Sequence, residues 1–162
     1  TFFTGFTFKS LNRIPAWRNN AALNREAIKV SENSARANNF YGVTLYNEIL
    51  NEKDNEAKPE KIDEALKYIN KSLSIYPEYS EALKMKAGLA AEKYKLNKNT
   101  DALLEVFTGI LEVRHISYID EFNNWLEPRA DKNKMARFYF NAGYNIFARE
   151  KQNYRRALFF FN

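Results

Sequence analysis

The chain is predicted to be all-α, and three observations carry that assignment. Apolar residues recur at helical spacing in run after run. Glycine and proline number only five and four in 162 residues, too few for the turns of an all-β chain. The stretch "IDEALKYINKSLSIYPEYSEALKMKAGLA", Ile62 to Ala90, places Pro77 between two Ala/Leu-rich amphipathic runs. With 45% hydrophobic and 15% aromatic residues, the chain has the apolar material for one domain-sized core or a short solenoid, which argues against intrinsic disorder.

The first segment, "TFFTGFTFKSLNRIPAW", carries Phe2, Phe3, Phe6 and Phe8 and then turns basic and polar. It falls short of the roughly 20 apolar residues that span a bilayer and lacks the charged start of a signal peptide. Residues 1–16 are therefore expected to form an apolar arm, either covering the first helix or marking the end of a membrane anchor. Leu23, Ala27, Ile28 and Val30 give a helical stripe between Trp17 and Val30, and Asn33 and Ser34 mark a turn with a candidate cap. A helix from Ala35 to about Leu50 follows, and then the charged segment "NEKDNEAKPE", closed by Pro59 and expected to be a loop or exposed helix extension. Ile62, Ala65, Leu66, Ile69 and Leu73 share one face of the next helix, which runs to Tyr76 and is stopped by Pro77.

Ala82–Tyr94 and Asp101–Val113 form a further helix pair across "KLNKN". Ile116, Ile119, Phe122, Trp125 and Leu126 suggest a short helix of their own, ended by Pro128. The last pair is Met135–Arg149 and Tyr154–Asn162.

The pairs repeat one another. Pro77 follows Ala65 by twelve residues, and "YPEYSEALKMKAG" then enters the next helix. "QNYRRALFFF" places small Ala157 four residues before Phe161, and Gly42, Ala87 and Gly143 occupy the equivalent small position of the first helices. These residues resemble the tetratricopeptide repeat (TPR), a two-helix unit of roughly 34 residues. The resemblance implies an α-solenoid of antiparallel helix pairs: a leading helix at 17–33, repeat 1 at 35–77, repeat 2 at 80–114, an inserted helix at 116–128 and an incomplete repeat 3 at 134–162. Helices approach closely only where no large side chain intervenes, so the small residues mark crossings, and Tyr41, Leu45 and Tyr139 supply the large partners. Gly42 and Ala65 are 23 residues apart, beyond the family spacing, so repeat 1 carries an insertion that holds the acidic segment.

A second resemblance concerns the start. "LNRIPAWRNNAALNREAIKVSENSARANNFYG" is similar to the join between the last span and the repeats of multi-spanning membrane proteins with C-terminal TPRs, including protein O-mannosyltransferase-like proteins. It implies a membrane-associated domain on the extracytoplasmic side, attached through N-terminal sequence, with any transferase chemistry lying in the membrane segments and, as the alternative function, an accessory role in acceptor recognition for a membrane glycosyltransferase.

In the TPR family the first helices line a concave groove that binds extended peptides. Carried over through Gly42, Ala87 and Gly143, the groove positions here are Arg36, Asn39, Phe40, Val43 and Tyr46, then Lys84 and Met85, then Arg137, Phe140, Asn141 and Tyr144. Asn141 matches a family asparagine that holds peptide backbone, because a carboxamide both donates and accepts. Phe40 and Met85 stand at that slot in the other repeats. The lysine and asparagine set that grips a C-terminal carboxylate in chaperone-binding members is not reproduced.

The implied partner is a protein or peptide segment, and no cofactor is expected. Enzyme chemistry is disfavoured by zero Cys, a single histidine and the lack of a glycine-rich phosphate loop. His115, in "EVRHISYID", reads as a solvated turn residue, and Asp120 and Glu121, adjacent on a helix, point apart. Charge is uneven: Arg129–Arg156 holds eight basic and two acidic residues, net +6, whereas Glu48–Glu64 holds seven acids and three lysines, net −4. No nucleic-acid motif accompanies the basic end, so solvated helix faces are its simplest reading. Exposure of Leu158, Phe159 and Phe160 would favour homo-oligomerisation.

Overall fold

The computed structural model describes residues 19–161, and all its regular structure is helical. The expected arm at residues 1–16, the start of the leading helix at Trp17 and the terminal Asn162 lie outside the described residues. The chain divides at Tyr76/Pro77 into two compact units.

In the first unit, α1 (Asn20–Val30) begins where Asn19 accepts a hydrogen bond from the Ala22 amide at 2.8 Å, satisfying one of the orphan donors of a helix start. Ser34 does the same for α2 (Ala35–Asn51). The third helix, α3 (Lys58–Ile75), starts a turn before the expected Ile62. Pro59 falls in its first turn, where the missing N–H has no helical partner to lose, so proline opens this helix instead of closing the loop. The helix ends before Pro77, as the proline rule requires.

The core of this unit is the α2–α3 seam, where Leu45, Ile49, Ile62, Ala65 and Ile69 are buried. Burying each of the large ones contributes roughly 2 kcal/mol. Ser72 is buried too and donates to the Ala35 carbonyl at 2.8 Å, tying the end of α3 to the start of α2. Tyr41 meets Tyr68 edge-on at 4.6 Å. Gly42 sits at the crossing: a Cβ there would lie 2.5 Å from Ile69 Cδ1 and 3.6 Å from the Ala65 carbonyl oxygen.

In the second unit, α4 (Ser80–Asn97) runs past the expected Tyr94 and stops at Lys98, whose φ of 56° is left-handed and breaks the helical hydrogen-bond path. Asn99 caps α5 (Thr100–Val113), accepting from the Ala102 amide at 3.1 Å. A short α6 (Ser117–Leu126) passes into a 3₁₀ turn at Glu127–Arg129 that contains Pro128. Asp131 caps α7 (Lys132–Phe140). The final helix, α8 (Tyr154–Phe159), is capped by Asn153.

Between α7 and α8 the chain departs from the expected α-helix. Asn141–Glu150 is a π-helix, and its last amide bond, Lys151 N–H to the Ile146 carbonyl at 3.0 Å, spans five residues. Ala142, Gly143, Ile146 and Phe147 form its buried face. Phe160 stacks on Phe147 at 5.5 Å. It is therefore buried, so only Leu158 and Phe159 of the three C-terminal residues that could favour self-association face solvent.

Phe122 of α6 is the hub of the aromatic core of this unit, with Tyr94 at 6.3 Å, Phe107 at 5.8 Å and Trp125 at 5.2 Å. This short helix is thus held by α4 and α5. At the α7–α8 end, a Cβ on Gly143 would meet Phe161 Cζ at 2.8 Å and the Ala157 carbonyl oxygen at 3.2 Å. His115 is not a solvated turn residue: its Nε2 lies 2.7 Å from Asp120 Oδ2, because α6 carries Asp120 back over the turn that precedes it.

Candidate functional site

In the first unit, a cleft of about 960 Å³ opens between α1 and α2, with Lys61 of α3 at one end. Two of the sequence-derived groove residues, Phe40 and Val43, line it. Ala21, Leu23 and Ala27 of α1 extend the apolar part of its wall, and carboxamide and charge come from Asn20 and Asn24 of α1 and from Asn47, Glu48 and Asn51 of α2.

Asn24 builds the junction. Its Nδ2 donates to the Phe40 carbonyl at 3.2 Å and to Thr44 Oγ1 at 3.0 Å, and Thr44 Oγ1 donates to the same carbonyl at 3.0 Å. Phe40 is therefore presented from a turn whose backbone is fixed by a neighbouring helix, and its ring, 39% exposed, lies under the Arg36 guanidinium at 5.1 Å. Arg25 pairs with Glu48, and Lys61 with Glu52. The hydrogen bond from Lys61 to Glu52, helped by the Asp54 backbone N–H, pulls the Glu52 carboxyl down to about 2, so it stays ionised.

The remaining first-unit positions differ in what they offer. Tyr46 is partly buried. Asn39 is 1% exposed and presents no surface to a ligand. Its burial has a geometric cause, since Asn39 follows Ala37 and Asn38 into the buried side of α2 while Arg36 and Phe40 stay outside.

In the second unit, Phe140 and Tyr144 stack at 5.3 Å with their planes 21° apart, and both are half exposed, at 56% and 50%. Exposed Arg137 lies one turn before Phe140 on α7. Asn141 accepts from Asn145 Nδ2 at 2.8 Å, so one of its lone pairs is engaged within the helix. Lys84 is exposed and Met85 partly buried on α4.

The structure thus groups the predicted residues into Arg36–Phe40–Val43 in the first unit and Phe140–Tyr144 beside Arg137 in the second. Sequence reasoning missed the carboxamide wall, because Asn24 reaches Thr44 across twenty residues and leaves no periodic trace. Its only signal was the density of asparagine in "WRNNAALN" and "LYNEILN".

Among the described residues no group of three or more His, Cys, Asp or Glu is placed to hold a metal ion, and no helix is long and apolar enough to cross a membrane. Comparison with protein-family models, with curated proteins and with solved structures gives no match to the chain.

Proposed function

We propose that the chain is a TPR-like interaction module that binds an extended peptide or protein segment along the exposed faces of its first helices. The observation that carries this reading is the cleft beside Phe40. It is concave and part apolar, with carboxamides that can donate to and accept from peptide backbone, the combination a ligand site needs. The Phe140–Tyr144 stack adds a second aromatic surface with Arg137 alongside, of the residue types enriched where partners bind.

Support for the repeat comes from the two glycine crossings. Gly42 faces the Ala65 carbonyl and the side chain of Ile69; Gly143 faces the Ala157 carbonyl and the side chain of Phe161. In both cases the contacted side chain stands four residues after the small one, so one packing arrangement occurs in both units. Repetition of this kind favours an extended binding surface over a catalytic pocket.

The test is selection from a displayed random-peptide library. The chain is expected to enrich a peptide class, and that class, titrated into isotope-labelled protein, should shift the side-chain amide signals of Asn24, Asn47 and Asn51. Failure to enrich any sequence above an unrelated helical control would contradict the proposal.

A further inference from the structure

Asp120, Asn123 and Glu127 fall three and four residues apart, on one face of α6 and the turn that continues it. They line a cavity of about 520 Å³ whose facing wall is aromatic, with Tyr139 of α7 and Phe159 and Phe160 of the C-terminal segment. This volume suits a small ligand or one residue of a larger one.

The polar groups of this cavity are unequally satisfied. Asp120 Oδ2 is engaged by His115 Nε2 at 2.7 Å and by Arg156 Nη1 at 3.4 Å. Asp120 Oδ1 is buried and has no hydrogen-bond partner among the described residues. Asn123 is 2% exposed, and neither its Oδ1 nor its Nδ2 has a partner there. A helix position that needed only to fill space would take leucine, since an unpaired buried amide is destabilising. The residues of the cavity therefore carry two buried acceptor oxygens and a buried amide NH₂ without partners, beside the carboxylates of Asp120 and Glu127. The field of those carboxylates reaches the far wall: burial first, then Glu127 and Asp120, push the Tyr139 hydroxyl up to about 12, which keeps it protonated.

We propose that this cavity binds a primary ammonium group carried next to a neutral carbonyl, the arrangement found at the N-terminus of a peptide and in an amino-acid amide. The ammonium donates to Asp120 Oδ1 and Asn123 Oδ1 with Glu127 close by, and the carbonyl accepts from Asn123 Nδ2. The ligand's first side chain lies against the rings of Tyr139 and Phe159, the latter with the Arg156 guanidinium as its other neighbour at 5.3 Å from the Phe159 centroid. A free amino acid is disfavoured, because its carboxylate would be repelled by Asp120 and Glu127. A simple alkylamine leaves Asn123 Nδ2 unanswered.

The test is calorimetric titration of the whole chain with the dipeptide amide Leu-Ala-NH₂, its N-acetylated form, leucinamide and butylamine. The dipeptide amide is expected to bind at least about tenfold more tightly than the acetylated form and than butylamine. Leucinamide separates the two sources: equal affinity means the site takes the aminoacyl amide alone, and about tenfold weaker binding means it takes a peptide. Asn123→Leu is expected to abolish binding while raising the melting temperature, because two unpaired polar atoms leave the interior and Asp120 keeps its partners. Glu127→Gln, on the exposed turn, should weaken binding about tenfold with folding unchanged. Equal binding of the acetylated and free forms, or no binding of Leu-Ala-NH₂ together with a lowered melting temperature for Asn123→Leu, would overturn the proposal. Phe140→Asp and Tyr144→Asp should leave this titration unaltered, so it stands or falls separately from the peptide groove.

Discussion

Gly42 and Gly109 show how much one hydrogen atom decides. At Gly42 the α2–α3 seam leaves no room for a Cβ, whereas a Cβ on Gly109 would meet nothing within 4 Å. Gly42→Leu is therefore expected to cost about 3 kcal/mol by forcing the helices apart. Gly109→Ala should stabilise α5 by up to about 1 kcal/mol through helix propensity. Thermal unfolding of the two variants, with shifts of opposite sign, checks both. The Glu52–Lys61 pair gives a pH-dependent expectation. A carboxyl held at about 2 in the folded chain, below its ordinary 4.5, adds stability above pH 4.5 and loses that contribution as pH falls through 2. An NMR titration should find the Glu52 midpoint near 2 and see Lys61→Met move it up towards 4.5.

At the scale of the helix, what could be read in the sequence was whatever is written locally. Pro77 marked the end of α3, Ser34 the start of α2, and the small residues Gly42, Ala65, Gly143 and Ala157 marked crossings that the structure shows as close approaches. Pro59 was legible as a break but not as an opening, because proline is compatible with both a loop and a first helical turn. The π-helix at Asn141–Glu150 left no signal, since its wider turn still presents apolar residues four apart. The polar junctions were equally hidden. Asn24 with Thr44, and Arg156 with Asp120, join residues 20 and 36 positions apart, and only the fold brings them together. Caps are the local feature most open to a simple test. Asn99→Ala removes the acceptor for the Ala102 amide and is expected to cost about 1 kcal/mol, measured by denaturant unfolding.

At the scale of the whole chain, the proposed binding residues fall into two separate groups, one in each unit. Phe40 belongs to the first and Tyr144 to the second, and each is exposed enough that replacing it should leave stability within about 0.5 kcal/mol of the parent. A catalytic protein would gather its critical side chains in one pocket. An interaction module binds through side chains exposed on helix faces, so groove binding should depend on these two surface rings. The most direct measurement is the dissociation constant of a library-selected peptide for the parent chain and for the Phe40→Asp/Tyr144→Asp variant, with Gly109→Ala, outside both proposed sites, beside them as a control. The account expects at least about a hundredfold loss of affinity in the double variant at an unchanged melting temperature, and parental affinity in the control. Equal affinity for the parent and the double variant would contradict it.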